Sequence, residues 1–134
     1  MFKRLIYIFL FLVVITSCKK EDNTPKIVGK WKYVTLKGYQ VTPDGVRYEQ
    51  DFSNTEPGDY IEFKTDGSWT QNLEGSIQSG TYYNISNGQF RLYNSGVENI
   101  CTVQTLTANS FVFSIDGTKI EGSSYTQFVH TLTK

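Results

Sequence analysis

Tyr60-Ile61-Glu62-Phe63-Lys64-Thr65-Asp66-Gly67-Ser68-Trp69 is the stretch whose reading decides the fold. Apolar Ile61 and Phe63 alternate with polar Glu62 and Lys64, the period of a strand with one buried and one wet face. Asp66-Gly67 then interrupts the run with residues that tolerate positive φ. A two-residue turn there sets Phe63 opposite Thr70 and Lys64 opposite Trp69. A three-residue loop of Thr65, Asp66 and Gly67, with glycine in the bulge, sets Phe63 opposite Trp69. A slip of one residue reverses every side chain, so the second register is the one that keeps the apolar residues together.

The same punctuation recurs at Asp44-Gly45, Asn87-Gly88 and Asp116-Gly117, at intervals of 21 to 29 residues. Each interval holds two strands and a second connection, which predicts an antiparallel meander. A two-residue turn at Asn87-Gly88 sets Ile85 opposite Phe90 and Tyr83 opposite Leu92. Strands are expected at 29–41, 46–49, 59–64, 68–73, 77–85, 89–94, 98–106, 110–115 and 123–133. The short second run reads as partly loop. No helical period follows residue 27, although a short helix fits near 52–57. A single open sheet of this length would leave two bare edges, and closure removes them. The expected fold is all-β, an up-and-down meander closed into a barrel of roughly eight strands.

The chain has 134 residues, 13 basic and 13 acidic, with a pI near 6.6. One domain is expected. Charge balance of this kind gives no basic face for phosphates, so nucleic acid is not an expected partner.

Lys3 and Arg4 precede an uncharged run at 5–15, followed by Thr16, Ser17 and Cys18. This is the charged, apolar, small-residue order of a helical export signal. The run makes about 17 Å of helix against a hydrocarbon core of about 30 Å, too little to span a bilayer. Ile15-Thr16-Ser17-Cys18 resembles the lipobox of bacterial lipoproteins. The resemblance implies cleavage between Ser17 and Cys18 and a diacylglycerol on the Cys18 sulfur. Residues 1–17 are then the signal peptide, 18–26 the acylated cysteine with a flexible tether, and 27–134 the folded domain. With several acyl chains the anchor needs no basic patch. Cys18-Lys19-Lys20-Glu21-Asp22 resembles the surface-export signal of Bacteroidota lipoproteins. The implied place is the outer membrane, at the cell surface or on the periplasmic face. Acylation of Cys18 leaves Cys101 as the last thiol, so an internal disulfide is not expected. Its β-type context, Ile100-Cys101-Thr102-Val103, reads as a buried small hydrophobe.

Ile27-Val28-Gly29-Lys30-Trp31-Lys32-Tyr33 resembles the Gly-x-Trp opening of lipocalins, whose first-strand tryptophan closes one end of an up-and-down barrel. With the 60–69 stretch, Ser79-Gly80-Thr81-Tyr82 and Leu106-Thr107-Ala108-Asn109-Ser110-Phe111-Val112, the order of elements across 27–134 resembles the small lipocalin-like domain of Bacteroidota lipoproteins. The chain departs from the lipocalin pattern in two places. No arginine near the last strand is there to stack on Trp31, and there is no Thr-Asp-Tyr segment. An eight-stranded barrel holds its own side chains or one small ligand. Trp31, Tyr33, Phe63, Trp69, Tyr83, Phe90 and Phe128 are the candidate interior contacts for such a ligand.

Catalytic chemistry finds little material. His130, the single histidine, shares strand parity with Phe128 and Leu132 and reads as a hydrogen-bonded barrel residue. No Gly-x-Ser-x-Gly elbow accompanies it. Zinc lacks ligands. Asp51, Ser53, Asn54, Glu56 and Asp59 form an oxygen-rich loop without the spacing of a calcium site. Glu62 and Glu98 are not brought together by any pattern. No enzymatic activity, metal or cofactor is expected. Two readings follow. In one, a membrane-anchored barrel binds a small hydrophobic or amphipathic ligand; in the other, a packed barrel acts as a protein-interaction, accessory or inhibitor lipoprotein on an envelope protein partner.

Overall fold

The computed structural model describes residues 26–50 and 55–134. The expected signal peptide at 1–17 with Ser17, the expected acylation site Cys18, the expected tether through residue 25, and Asp51, Ser53 and Asn54 of the oxygen-rich loop lie outside the described residues.

Nine strands follow one another: β1 (Gly29–Val41), β2 (Arg47–Gln50), β3 (Tyr60–Phe63), β4 (Ser68–Leu73), β5 (Ser76–Ser86), β6 (Gln89–Asn94), β7 (Val97–Leu106), β8 (Ser110–Asp116) and β9 (Tyr125–Thr133). All neighbours are antiparallel, and β1 pairs with β9 from Lys32↔Thr133 to Val41↔Tyr125. That pairing closes eight strands into a barrel. The remaining strand, β2, lies beside the second half of β1, while β3 takes the first half. All four β2 residues are exposed, yet all four pair with β1, so the short run expected to be partly loop is a full strand outside the closed barrel. The described part of the 52–57 region contains no helix.

Phe63 pairs with Trp69, as the three-residue loop requires. The Lys64 N–H donates to the Ser68 carbonyl at 2.8 Å, and Gly67 takes φ +84°, a left-handed conformation that side chains resist. Ser86 pairs with Gln89 around Asn87-Gly88, the expected two-residue turn. The register then shifts. A bulge between Tyr83 and Ser86 pairs Tyr83 with Arg91 and Tyr82 with Leu92, so the expected Tyr83–Leu92 pair does not form. Asp116-Gly117 is no tight turn either: the Gly117 N–H still donates to Thr126 at 2.7 Å, and the left-handed glycine of that connection is Gly122. Two hairpins use turns of another composition, Glu74-Gly75 and Ser95-Gly96.

The barrel is packed at one end. Trp31, Ile61, Phe63, Phe90, Phe111, Phe113 and Leu132 are all essentially inaccessible. Phe63 meets Tyr82 and Phe90 edge-on at 5.2 and 5.8 Å, and Phe90 meets Phe113 edge-on at 5.1 Å. Each such contact adds about 0.5–1.5 kcal/mol to the burial of the rings. The Trp31 indole N–H donates to the Ile27 carbonyl at 2.7 Å, so the chain folds over this end as it enters the barrel. In the place where an arginine was missing from the sequence, the Lys134 ammonium lies 4.5 Å over the Trp31 ring. A bulge between Tyr33 and Thr35 turns Val34 outward and moves the inward phase of β1 from Trp31 and Tyr33 to Leu36 and Gly38.

Gly80 is where the wall demands the absence of a side chain. A Cβ there would stand 1.7 Å from the Tyr93 carbonyl oxygen and 2.9 Å from the Trp69 indole nitrogen. That nitrogen donates to both the Thr81 and Tyr93 carbonyls, at 3.1 and 3.2 Å, which pins the Trp69 ring across β4, β5 and β6.

Candidate functional site

The end opposite Trp31 is open. Inward positions near the far ends of the strands, at the level of the Gly38, Phe128 and Ile115 pairings, border a cavity of about 450 Å³. Its volume lies within the ~300–1,000 Å³ common for small-molecule sites. Leu36, Trp69, Leu92, Ile115, Phe128 and His130 make the apolar and aromatic floor. Gln71, Gln78, Asn94, Asn99 and Asp116 make a polar arc above it. Five successive strands, β4 to β8, each give one side chain to that arc. Gln71 and Gln78 face each other as a cross-strand pair, and Asn99 stands opposite Leu92.

The candidate interior residues divide. Trp69 and Phe128 line the cavity. Trp31, Phe63 and Phe90 face inward but belong to the packed end. Tyr33 is buried beneath the cavity floor, where its hydroxyl and the His130 Nδ1 share a hydrogen bond of 2.9 Å. Tyr83 is a correction: the β5 bulge turns it to solvent, 59% exposed, against the edge of Tyr93 at 5.7 Å. Its neighbour Tyr82 is the inward tyrosine, donating through its hydroxyl to the Lys64 carbonyl at 2.6 Å.

His130 is inward and hydrogen-bonded, as its parity with Phe128 and Leu132 predicted. It stacks on Phe113 at 4.4 Å and 11°. Burial pushes its pKa down to about 3, so the imidazole is neutral at ordinary pH. Burial pushes the Tyr33 phenol far up, with Asp59 and Cys101 adding smaller effects of the same sign, so its partner is neutral too. Cys101 is buried, and desolvation raises its thiol well above the usual range, which keeps it from being a thiolate nucleophile.

Asp116 spends both carboxylate oxygens on partners. Gln127 Nε2 donates to one at 2.7 Å, and the Lys119 ammonium stands 2.7 Å from the other. Asp59, which is buried, holds loops together: it accepts the N–H groups of Glu56 at 2.7 Å and Glu74 at 3.0 Å. Glu62 and Glu98 sit on β3 and β7, with three strands between them. Among the described residues no group of three or more metal-ligating side chains converges. No protein-family model matches the chain, and no curated protein is similar to it in sequence.

Sequence reasoning missed the polar arc: none of its five residues was among the candidate contacts. A signal was present for two of its members: Gln71 shares parity with Trp69, and Asn94 shares parity with Phe90 and Leu92. Gln78 carried the opposite signal, because its neighbour Ile77 is apolar yet points outward at 71% exposure.

Proposed function

We propose that this protein is a lipid-anchored envelope lipoprotein with a lipocalin-like barrel that holds one small amphipathic ligand in its open mouth. The observation that carries the reading is the cavity of about 450 Å³ with aromatic residues below and amides around it. A binding site of this kind needs a preformed apolar surface and a few placed polar groups. The lipobox resemblance at 15–18 supports the anchor. Residues 18–26 could reach at most about 30 Å, and they join the barrel at Ile27, on the plugged end. An anchored barrel would therefore turn its packed end to the membrane and its mouth away from it.

Native mass spectrometry of the protein purified from its own envelope tests the reading. A small molecule retained in the gas phase, and lost when Phe128→Ala opens the floor, is the expected result. A bare chain throughout contradicts it. Cys18→Ala should release the protein from membranes, and salt-resistant retention of that variant would contradict the anchor. The interaction reading has its own support in exposed Tyr83, Val97 and Ile100 on β5 and β7, and a partner chain in the same spectrum would favour it.

A further inference from the structure

The chemistry of the mouth narrows its ligand, and the narrowing rests on the proposal that the mouth is a binding site. Among the described residues no lysine or arginine lines the cavity. The one acid among the described lining residues, Asp116, is already matched by Lys119 and Gln127. His130 in the floor is uncharged at ordinary pH. A fatty acid, a phospholipid headgroup or a nucleotide would bring a negative charge with nothing in the cavity to balance it. A cation would find only a carboxylate that is already paired.

A plain hydrocarbon fits no better. Among the described residues, the side-chain amides of Gln71, Gln78 and Asn99 make no hydrogen bond to the protein, and Asn94 only accepts one from the Ser95 hydroxyl at 2.8 Å. An apolar guest would strip water from these groups and return nothing. Each amide offers both donors and an acceptor, the complement of a hydroxyl, which also does both. The arc therefore matches a ligand carrying several hydroxyls spread around one edge. The floor of Leu36, Leu92 and Ile115 with Trp69 and Phe128 matches a ligand with a compact apolar face.

We infer that the mouth takes a neutral polyhydroxylated ligand, a small sugar, set with its C–H face on the apolar floor and its hydroxyls against the amides of Gln71, Gln78, Asn94 and Asn99. Discrimination follows from the same groups. A site built to bond hydroxyls rejects an analogue lacking them far more strongly than an apolar pocket rejects a missing methylene.

The test is saturation-transfer NMR on the full chain held in phospholipid nanodiscs, with empty nanodiscs as the blank. The probes are cellobiose, maltose, N-acetylglucosamine and methyl β-galactoside, beside hexan-1-ol and hexanoate. At least one sugar should bind, and Gln71→Leu and Gln78→Leu should each weaken it about tenfold, the loss of one hydrogen bond. Gln104→Leu, on exposed β7 surface away from the mouth, should leave binding unchanged. Gln78 is exposed at the rim, so its variant reports even if the buried Gln71 variant does not fold. Sugar binding that ignores both mouth substitutions overturns the inference. Binding of hexan-1-ol or hexanoate with no sugar bound also overturns it, while leaving the mouth as a ligand site. No binding by any probe overturns the sugar inference and the ligand reading together.

Discussion

The two ends of this barrel are made from the same strands and do opposite things. At the chain-entry end, β1, β3, β6 and β8 contribute Trp31, Phe63, Phe90, Phe111 and Phe113, and their rings leave no accessible space. At the far end the inward positions of the same sheet carry Gln71, Gln78, Asn94, Asn99 and Asp116, and a cavity remains. Packing is thus densest where the chain enters and extends to the cavity floor at Leu36, Trp69 and Leu92, while the polar rim above it contributes little to holding the barrel together. Stability and binding should separate along the barrel axis.

Substitutions in the barrel wall, the packed interior and the polar rim sharpen that contrast. The largest effect should come from Gly80→Ala, whose added carbon has no room beside the Tyr93 carbonyl. A loss above about 4 kcal/mol is expected, read as failure to unfold cooperatively in a denaturant titration. Phe113→Ala at the packed end should cost about 3–5 kcal/mol in the same titration, since a ring sealed by aromatic neighbours leaves a cavity that cannot collapse. A comparable loss from Gln78→Leu would break the contrast.

Midway along the axis, Tyr33→Phe should cost about 1–3 kcal/mol by leaving the buried His130 Nδ1 without its partner. The same pair sets a pH dependence. His130 is held neutral, with its pKa lowered from 6.5 to about 3, so the unfolded chain binds a proton over a range where the folded chain does not. Its contribution is complete above about pH 6.5 and is lost as pH falls toward about 3. Denaturant midpoints should decline through that window in the wild type and decline less in His130→Phe; parallel curves would contradict the assignment. The smallest effects belong to the polar rim. Gln78→Leu and Asn99→Leu should change stability by less than about 0.5 kcal/mol, measured as an unchanged midpoint.

Much of the barrel was legible because the hydrophobic alternation and the turn residues agreed. Phe63 against Trp69 followed from asking which register keeps both rings inside. The reading failed where a bulge changed the phase. In β5, Tyr82 and Tyr83 are the same residue type, so hydropathy cannot tell which points inward, and the bulge before Ser86 makes it Tyr82. In β1, the bulge at Val34 brought Leu36 to the cavity floor against the parity of Trp31 and Tyr33. Phe111 and Phe113 were absent from the candidate contacts although their shared parity on β8 marked them as inward. The polar arc was hidden for a different reason. Hydropathy patterns assign inward positions by apolarity, so a cavity lined by amides reads as surface, and Ile77 beside Gln78 inverts the signal outright.

One tryptophan lies in the plug and the other borders the cavity, which permits the most direct test. Both are buried in the core, but only Trp69 faces the cavity, as part of its floor. Indole N–H resonances should be followed while a small-molecule extract of the native cells is added to the labelled protein. The Trp69 signal should shift together with the side-chain amides of Gln78 and Asn99, while the Trp31 signal stays in place. A shift of Trp31 with Trp69 unmoved would mean that the barrel opens at the wrong end, and the account of a plugged base with a receptive mouth would fail.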